Sequence, residues 1–136
     1  MTFCTRFALL ATTLCALAAC VEQEMPEASE GAALYAENCA ICHGPLARGD
    51  GPIAAGLSPK PSDLTKITRR AGDTFPRAAV LSKIDGYTKQ PKDAQMPEFG
   101  LLLRGATVPV DVGGNQPSPV PRPLAALLAY LETIQR

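Results

Sequence analysis

Residues 39–43 read Cys39-Ala40-Ile41-Cys42-His43, and this pentapeptide restricts the fold more than any other part of the chain. Side chains three apart on a helix share a face, so the two thiols point the same way, with an imidazole next to them. A helix should lead into the motif from near Ser29, a residue suited to capping, with Glu30 at the positive end of the helix dipole. Leu34 and Tyr35 are its bulky residues, and so short a segment leaves its core face open. After the motif, Gly44, Gly49, Gly51 and Gly56 are interspersed with Pro45, Pro52, Pro59 and Pro61, a composition that makes loop. Ser62-Asp63-Leu64-Thr65 reads as a turn or a helix start.

Further helices are expected over residues 74–86 and 124–135. The first has Phe75, Val80, Leu81 and Ile84 as its apolar set, Pro76 in its first turn and Gly86 at its C-terminal cap. The second places Leu124, Leu127, Leu128, Leu131 and Ile134 at helical spacing. Residues 104–123 form a second loop region. There Val108, Val110 and Val112 alternate ahead of Gly113-Gly114-Asn115, a weak hairpin signal. The prolines of Gln116-Pro117-Ser118-Pro119-Val120-Pro121 argue against full pairing, because proline has no N–H. The expected class is all-α, with three to four short helices and long loops around a thin protein core.

A thin core calls for something else to fill it. Cys-x-x-Cys-His is the attachment motif of c-type haem: Cys39 and Cys42 reach the two vinyl groups of one macrocycle, and His43 lies under the iron. A thioredoxin-like redox pair would need a βαβ setting, which this chain lacks. A zinc site would need four ligands, more than two thiols and the single His supply. A porphyrin is a large apolar body, so the composition makes more sense with haem than without it.

The other iron ligand follows by elimination. With one His in the chain, bis-His ligation within it is impossible. Of the three Met residues, Met1 is removed with the leader described below, and Met25 precedes the motif. Met96, in Gln95-Met96-Pro97, remains, and His/Met ligation is the pattern of cytochromes c. A five-coordinate or Lys-ligated iron is the alternative.

The N-terminus has a separate task. Arg6 is followed by an uncharged run, Phe7 to Ala19, too short for a membrane-spanning helix of about 20 residues and typical of a secretory leader. Leu17-Ala18-Ala19-Cys20 resembles the lipobox of bacterial lipoproteins. That resemblance implies removal of residues 1–19, lipidation of Cys20 and an acidic tether over residues 20–29, ahead of a domain at 30–136. Several acyl chains on one residue suffice for stable anchoring. The expected location is the periplasmic side of a bacterial membrane, reached by export and held by the lipid. Cys4 and Cys15 leave with the leader, so no pair is left for a disulfide. Loss of Arg6 from 13 Lys+Arg, against 13 Asp+Glu, leaves a formal charge of −1, which gives no reason to expect nucleic acid.

Over residues 30–135 the chain resembles the class I, single-haem bacterial cytochromes c. The matching features are Leu34-Tyr35 before the haem motif, Gly49-Asp50-Gly51-Pro52, Pro59-Lys60-Pro61-Ser62-Asp63-Leu64-Thr65, Met96-Pro97, and Leu128-Ala129-Tyr130-Leu131 in the last helix. The resemblance implies one covalent haem c on Cys39 and Cys42, with His43 and Met96 on the iron. It implies that Gly31 packs against Tyr130 where the first and last helices cross, and that a carbonyl of Pro59 or Pro61 accepts a hydrogen bond from His43. The role implied is that of an electron carrier between redox partner proteins, with no small-molecule substrate and no catalysis of its own. A haem subunit of a membrane dehydrogenase or oxidase is the alternative; a haem enzyme or gas sensor without Met96 on the iron is the third. Lys60, Lys66, Arg69, Arg70, Lys83, Lys89 and Lys92 are candidates to ring the haem edge and steer an acidic partner. Residues 104–123 depart from the family, either as a tolerated insertion or as a flap near the Met side of the haem.

Overall fold

The computed structural model describes residues 24–88 and 95–136. The leader and Cys20 lie outside the described residues, as do Lys89 and Lys92. Three longer helices carry the frame: α1 (Ala28–Asn38), α4 (Arg77–Asp85) and α6 (Arg122–Thr133). Three four-residue helices, α2 (Ala40–His43), α3 (Ile67–Arg70) and α5 (Phe99–Leu102), punctuate the loops. Single 3₁₀ turns occupy Ala54–Gly56 and Leu64–Lys66. A two-stranded antiparallel ribbon, β1 (Thr107–Val110) with β2 (Ser118–Pro121), precedes the last helix. The mostly helical class agrees with the sequence expectation.

Helix α1 starts one residue before Ser29. Its cap is Glu27 rather than Ser29, and the Glu27 N–H donates back to the Glu30 carboxylate at 3.2 Å, the reciprocal bond of a capping box. The segment ahead of it is not free. Pro26 is buried, and the Arg122 guanidinium bonds both the Glu24 carbonyl and the Glu30 carboxylate. Residues 24–29, expected to belong to the tether, are therefore fastened to the body of the domain.

Helices α1 and α6 cross at Gly31. A methyl group there would run into the main chain of Ala126 and the Cβ of Tyr130, so only glycine permits the approach. The expected Gly31–Tyr130 contact is present. Beside it, the rings of Tyr35 and Tyr130 lie 5.3 Å apart, within the range of favourable aromatic pairs. Of the two bulky residues of α1, Tyr35 is the buried one, at 2 % exposure, and Leu34 is only partly buried. Leu124, Leu127, Leu128 and Leu131 of α6 join Val80, Leu81 and Ile84 of α4 and Phe99 in one core. Arg77, at the start of α4, ties that helix to α6 through Glu132 at 2.6 Å and to the ribbon through the Asp111 carbonyl at 3.1 Å.

Within residues 104–123 the hairpin signal is realised: residues 107–110 and 118–121 pair as a ribbon, and loop remains around them. The register sets Val108 opposite Val120, Pro109 opposite Pro119, and Thr107 opposite Pro121. Antiparallel pairs alternate between those that exchange hydrogen bonds and those that do not. Each proline in the register stands in a non-exchanging pair, and the flanking bond from the Arg122 N–H to the Ala106 carbonyl, 2.9 Å, keeps the same phase. The missing N–H groups therefore cost the ladder nothing. Val108, Val110 and Val120 face inward and are part of the core. The insertion is an integral wall of the domain, packed on α6, and no residue of 104–123 lines the large cavity described next.

Candidate functional site

Helix α1 stops at Cys39, whose N–H donates to the Tyr35 carbonyl at 2.9 Å and whose φ of −117° departs from helical values. One further turn, α2, follows, closed by Cys42 and His43 N–H bonds to the Cys39 carbonyl at 3.1 and 2.9 Å. The motif is thus a break and a turn, not an unbroken helix, and both thiols still face one cavity. Tyr35, which also lines the cavity, braces the turn, its hydroxyl donating to the Gly44 carbonyl at 2.7 Å.

The cavity has a volume of about 430 Å³ and is lined mainly by apolar side chains, among them Leu57, Ile67, Val80, Phe99 and Leu127. Cys39, Cys42, His43 and Met96 all line it. Four groups from two segments far apart in sequence therefore meet in one apolar space. Of the candidate steering cations, Lys60, Arg70 and Lys83 also line this cavity, whereas Lys66 pairs with Asp63 at 3.2 Å.

His43 is held by Ser62. Its Nδ1 lies 3.0 Å from the Ser62 carbonyl oxygen, which can only accept, so Nδ1 carries the proton. Burial pushes the imidazole pKa below its usual value, against the raising effect of that hydrogen bond. The ring is then the neutral tautomer with the Nε2 lone pair free, the form that binds metals. The expected partner, a carbonyl of Pro59 or Pro61, is corrected to that of Ser62. The Pro61 carbonyl is turned instead onto Gly49, whose φ of +77° and bare Cα admit it. The Gly49 N–H in turn donates to the His43 carbonyl at 2.8 Å.

The Cys39 thiol is a quiet one. Burial, with the neighbouring Cys42, pushes the Cys39 pKa up to about 11, so little thiolate exists at neutral pH. Thiolate is the reactive and metal-binding form, and among the described residues no group of three or more His, Cys, Asp or Glu is arranged around a bare ion. Two thiols, a neutral imidazole and a thioether around an apolar space fit a large flat apolar body bearing a metal. Cys39 and Cys42 could hold it covalently, with His43 and Met96 available to its metal.

Sequence reasoning missed Ser62 as the imidazole's partner, and it missed Gln95, whose side chain ties the Met96 segment to the Ser58 carbonyl at 3.1 Å. Neither had a local signal, since each acts through geometry between loops.

A helical frame closed around such a cavity defines a covalent haem protein. The family model described as Cytochrome c matches residues 28–107, and the chain belongs to that family, as a class I c-type cytochrome. No curated protein and no solved structure matched the chain. The family match ends where β1 begins, so the ribbon and α6 lie beyond it. Members bind haem c covalently and transfer electrons through it; this chain is accordingly a haem-based electron carrier rather than an enzyme, and its partners are redox proteins.

Proposed function

We propose that the protein carries one electron at a time on a haem c bound through Cys39 and Cys42 and ligated by His43 and Met96, while anchored to a membrane by a lipid on Cys20. The haem supplies the chemistry, cycling between ferrous and ferric iron. The chain's own residues enclose it, hold the imidazole in its metal-binding tautomer and exclude water with an apolar wall.

The observation that carries this reading is the convergence of Cys39, Cys42, His43 and Met96 on one apolar cavity. A thioether ligand raises the potential and fills the coordination site that a substrate or gas would need, which favours a carrier over a haem enzyme or sensor. The lipobox-like Leu17-Ala18-Ala19-Cys20 supports export and anchoring on the periplasmic side. Donor and acceptor are then proteins at or near that membrane, and a place as the haem subunit of a larger dehydrogenase or oxidase is compatible with the same site.

Met96→Ala in the haem-loaded protein tests the ligation. The wild type should show the weak far-red band of a sulfur-to-iron charge transfer, and the variant should lose it and bind carbon monoxide readily at neutral pH. A variant that keeps the band, or a wild type that lacks it, would sink the His/Met assignment.

A further inference from the structure

Gln135 stands outside the family match and outside the cavity lining, yet its amide is used at every turn. Its Nε2 donates to the Leu64 carbonyl at 2.9 Å and to the Leu131 carbonyl at 2.6 Å, and its Oε1 accepts from the Thr68 N–H at 2.9 Å. Leu64 and Thr68 are four residues apart. In a continuous helix the Thr68 N–H would donate to the Leu64 carbonyl; the Gln135 amide takes both groups instead. A side chain inserted into the ladder splits a helix, and the chain here is split into the 3₁₀ turn Leu64–Lys66 and the short helix α3. Arg136 reinforces the opening, its N–H donating to the Thr65 carbonyl and its Nε to the Thr65 hydroxyl, both at 3.0 Å.

The opened segment is also bonded on its other side. The Leu64 N–H donates to the Ala47 carbonyl at 2.7 Å, in the loop that follows the haem motif. Two residues upstream, the Ser62 carbonyl accepts the His43 Nδ1–H. Leu64 is thus stretched between the C-terminus and the haem loop, and the carbonyl that orients the imidazole hangs from the same short stretch.

We propose that Gln135 is a positioning residue for the iron ligand: its amide wedges the 64–68 turn open and thereby sets the Ser62 carbonyl against His43. The inference rests on His43 ligating the iron. Without the amide, Thr68 can close onto Leu64, the turn rewinds, and Ser62 is drawn off the ring. A hydrogen bond at Nδ1 raises the basicity of a ligating imidazole and so favours the ferric state. Loosening it should raise the reduction potential.

The experiment uses the haem-loaded protein with Gln135→Met, which keeps length and removes the amide. Two quantities are read: the reduction potential by spectroelectrochemistry, and solvent exchange of the His43 Nδ1 proton by NMR in the ferrous state. The potential should rise, and exchange should quicken by about tenfold, the scale of one net hydrogen bond. Glu132→Gln weakens the Arg77 pair near the end of α6, three residues before Gln135, and serves as the comparison; it should lower the melting temperature while leaving both readouts in place. If Gln135→Met does not fold, Gln135→Asn is used. Its amide is one methylene too short to span Leu64 and Thr68, and the same directions are expected. A wild-type potential and exchange rate in the folded variant would overturn the proposal, as would equal shifts in Glu132→Gln. A wild type with no haem-shifted His43 resonance would overturn the ligation reading itself, a result separable from a shifted resonance that ignores Gln135.

Discussion

Replacing Gly31 by Ala sets two physical effects against each other with opposite signs. Intrinsic propensity favours Ala over Gly inside a helix by about 1 kcal/mol. The crossing geometry opposes it. A methyl on residue 31 would stand 2.6 Å from the Ala126 carbonyl carbon and 2.7 Å from the Tyr130 Cβ, about 1 Å inside ordinary carbon contact. Neither neighbour can swing aside, one being helical main chain and the other the first atom of a side chain. α1 and α6 must part by a similar distance, which loosens the Tyr35–Tyr130 pair and the buried leucines beneath it. Overpacking of this kind costs up to about 3 kcal/mol, so the net expectation is a loss of about 2 kcal/mol. For a domain of this size that is a melting temperature lower by roughly 10 °C. Thermal unfolding of the haem-loaded protein, followed by circular dichroism, measures it. Ala33→Gly, on the exposed side of the same helix, is the reference and should lose only the propensity term. A Gly31→Ala protein that melts at or above the wild type would refute the close crossing, since propensity would then be the only effect present.

Two further expectations concern parts of the chain away from the haem. Val108→Ala removes a side chain only 2 % exposed and should destabilise the domain by about 2 kcal/mol, measured in urea, with the haem spectrum unchanged; a loss under about 0.5 kcal/mol would mean that the ribbon is a tolerated appendage after all. Cys20→Ser should move the protein from the membrane fraction to the soluble fraction of an expressing cell, and continued membrane residence would refute the lipid anchor.

Most of the helical frame was legible because helices announce themselves locally. The leucine spacing of α6 and the apolar set of α4 with Gly86 behind it needed no knowledge of the rest of the chain. The haem motif was legible for a different reason, its own spacing, and Met96, singled out by elimination among few Met residues, lines the same cavity as that motif. The ribbon was only half visible. Each proline counts against a strand when judged singly, and the objection vanishes only once the pairing phase places them all in non-exchanging positions. The imidazole's partner was mistaken by one residue because the choice between Pro61 and Ser62 depends on where Gly49 sits in space. Gln135 left no trace at all. Its bond to Leu64 crosses 71 positions of sequence, and a lone amide near a C-terminus resembles any solvated side chain.

The phase of the proline ribbon has a consequence for how this protein behaves in a crowd. In a two-stranded sheet, the non-exchanging residues are the ones whose N–H groups point away from the partner strand, toward the two open edges. Here those residues are Thr107, Pro109, Pro119 and Pro121. Three of the four have no donor to offer, so neither edge presents the ladder of N–H groups that an incoming strand requires. A ribbon inserted at the surface of a helical protein is an invitation to strand addition and polymerisation. The residues that blurred its signature in the sequence also close its edges, and they keep copies of the molecule from zipping to one another at high local concentration.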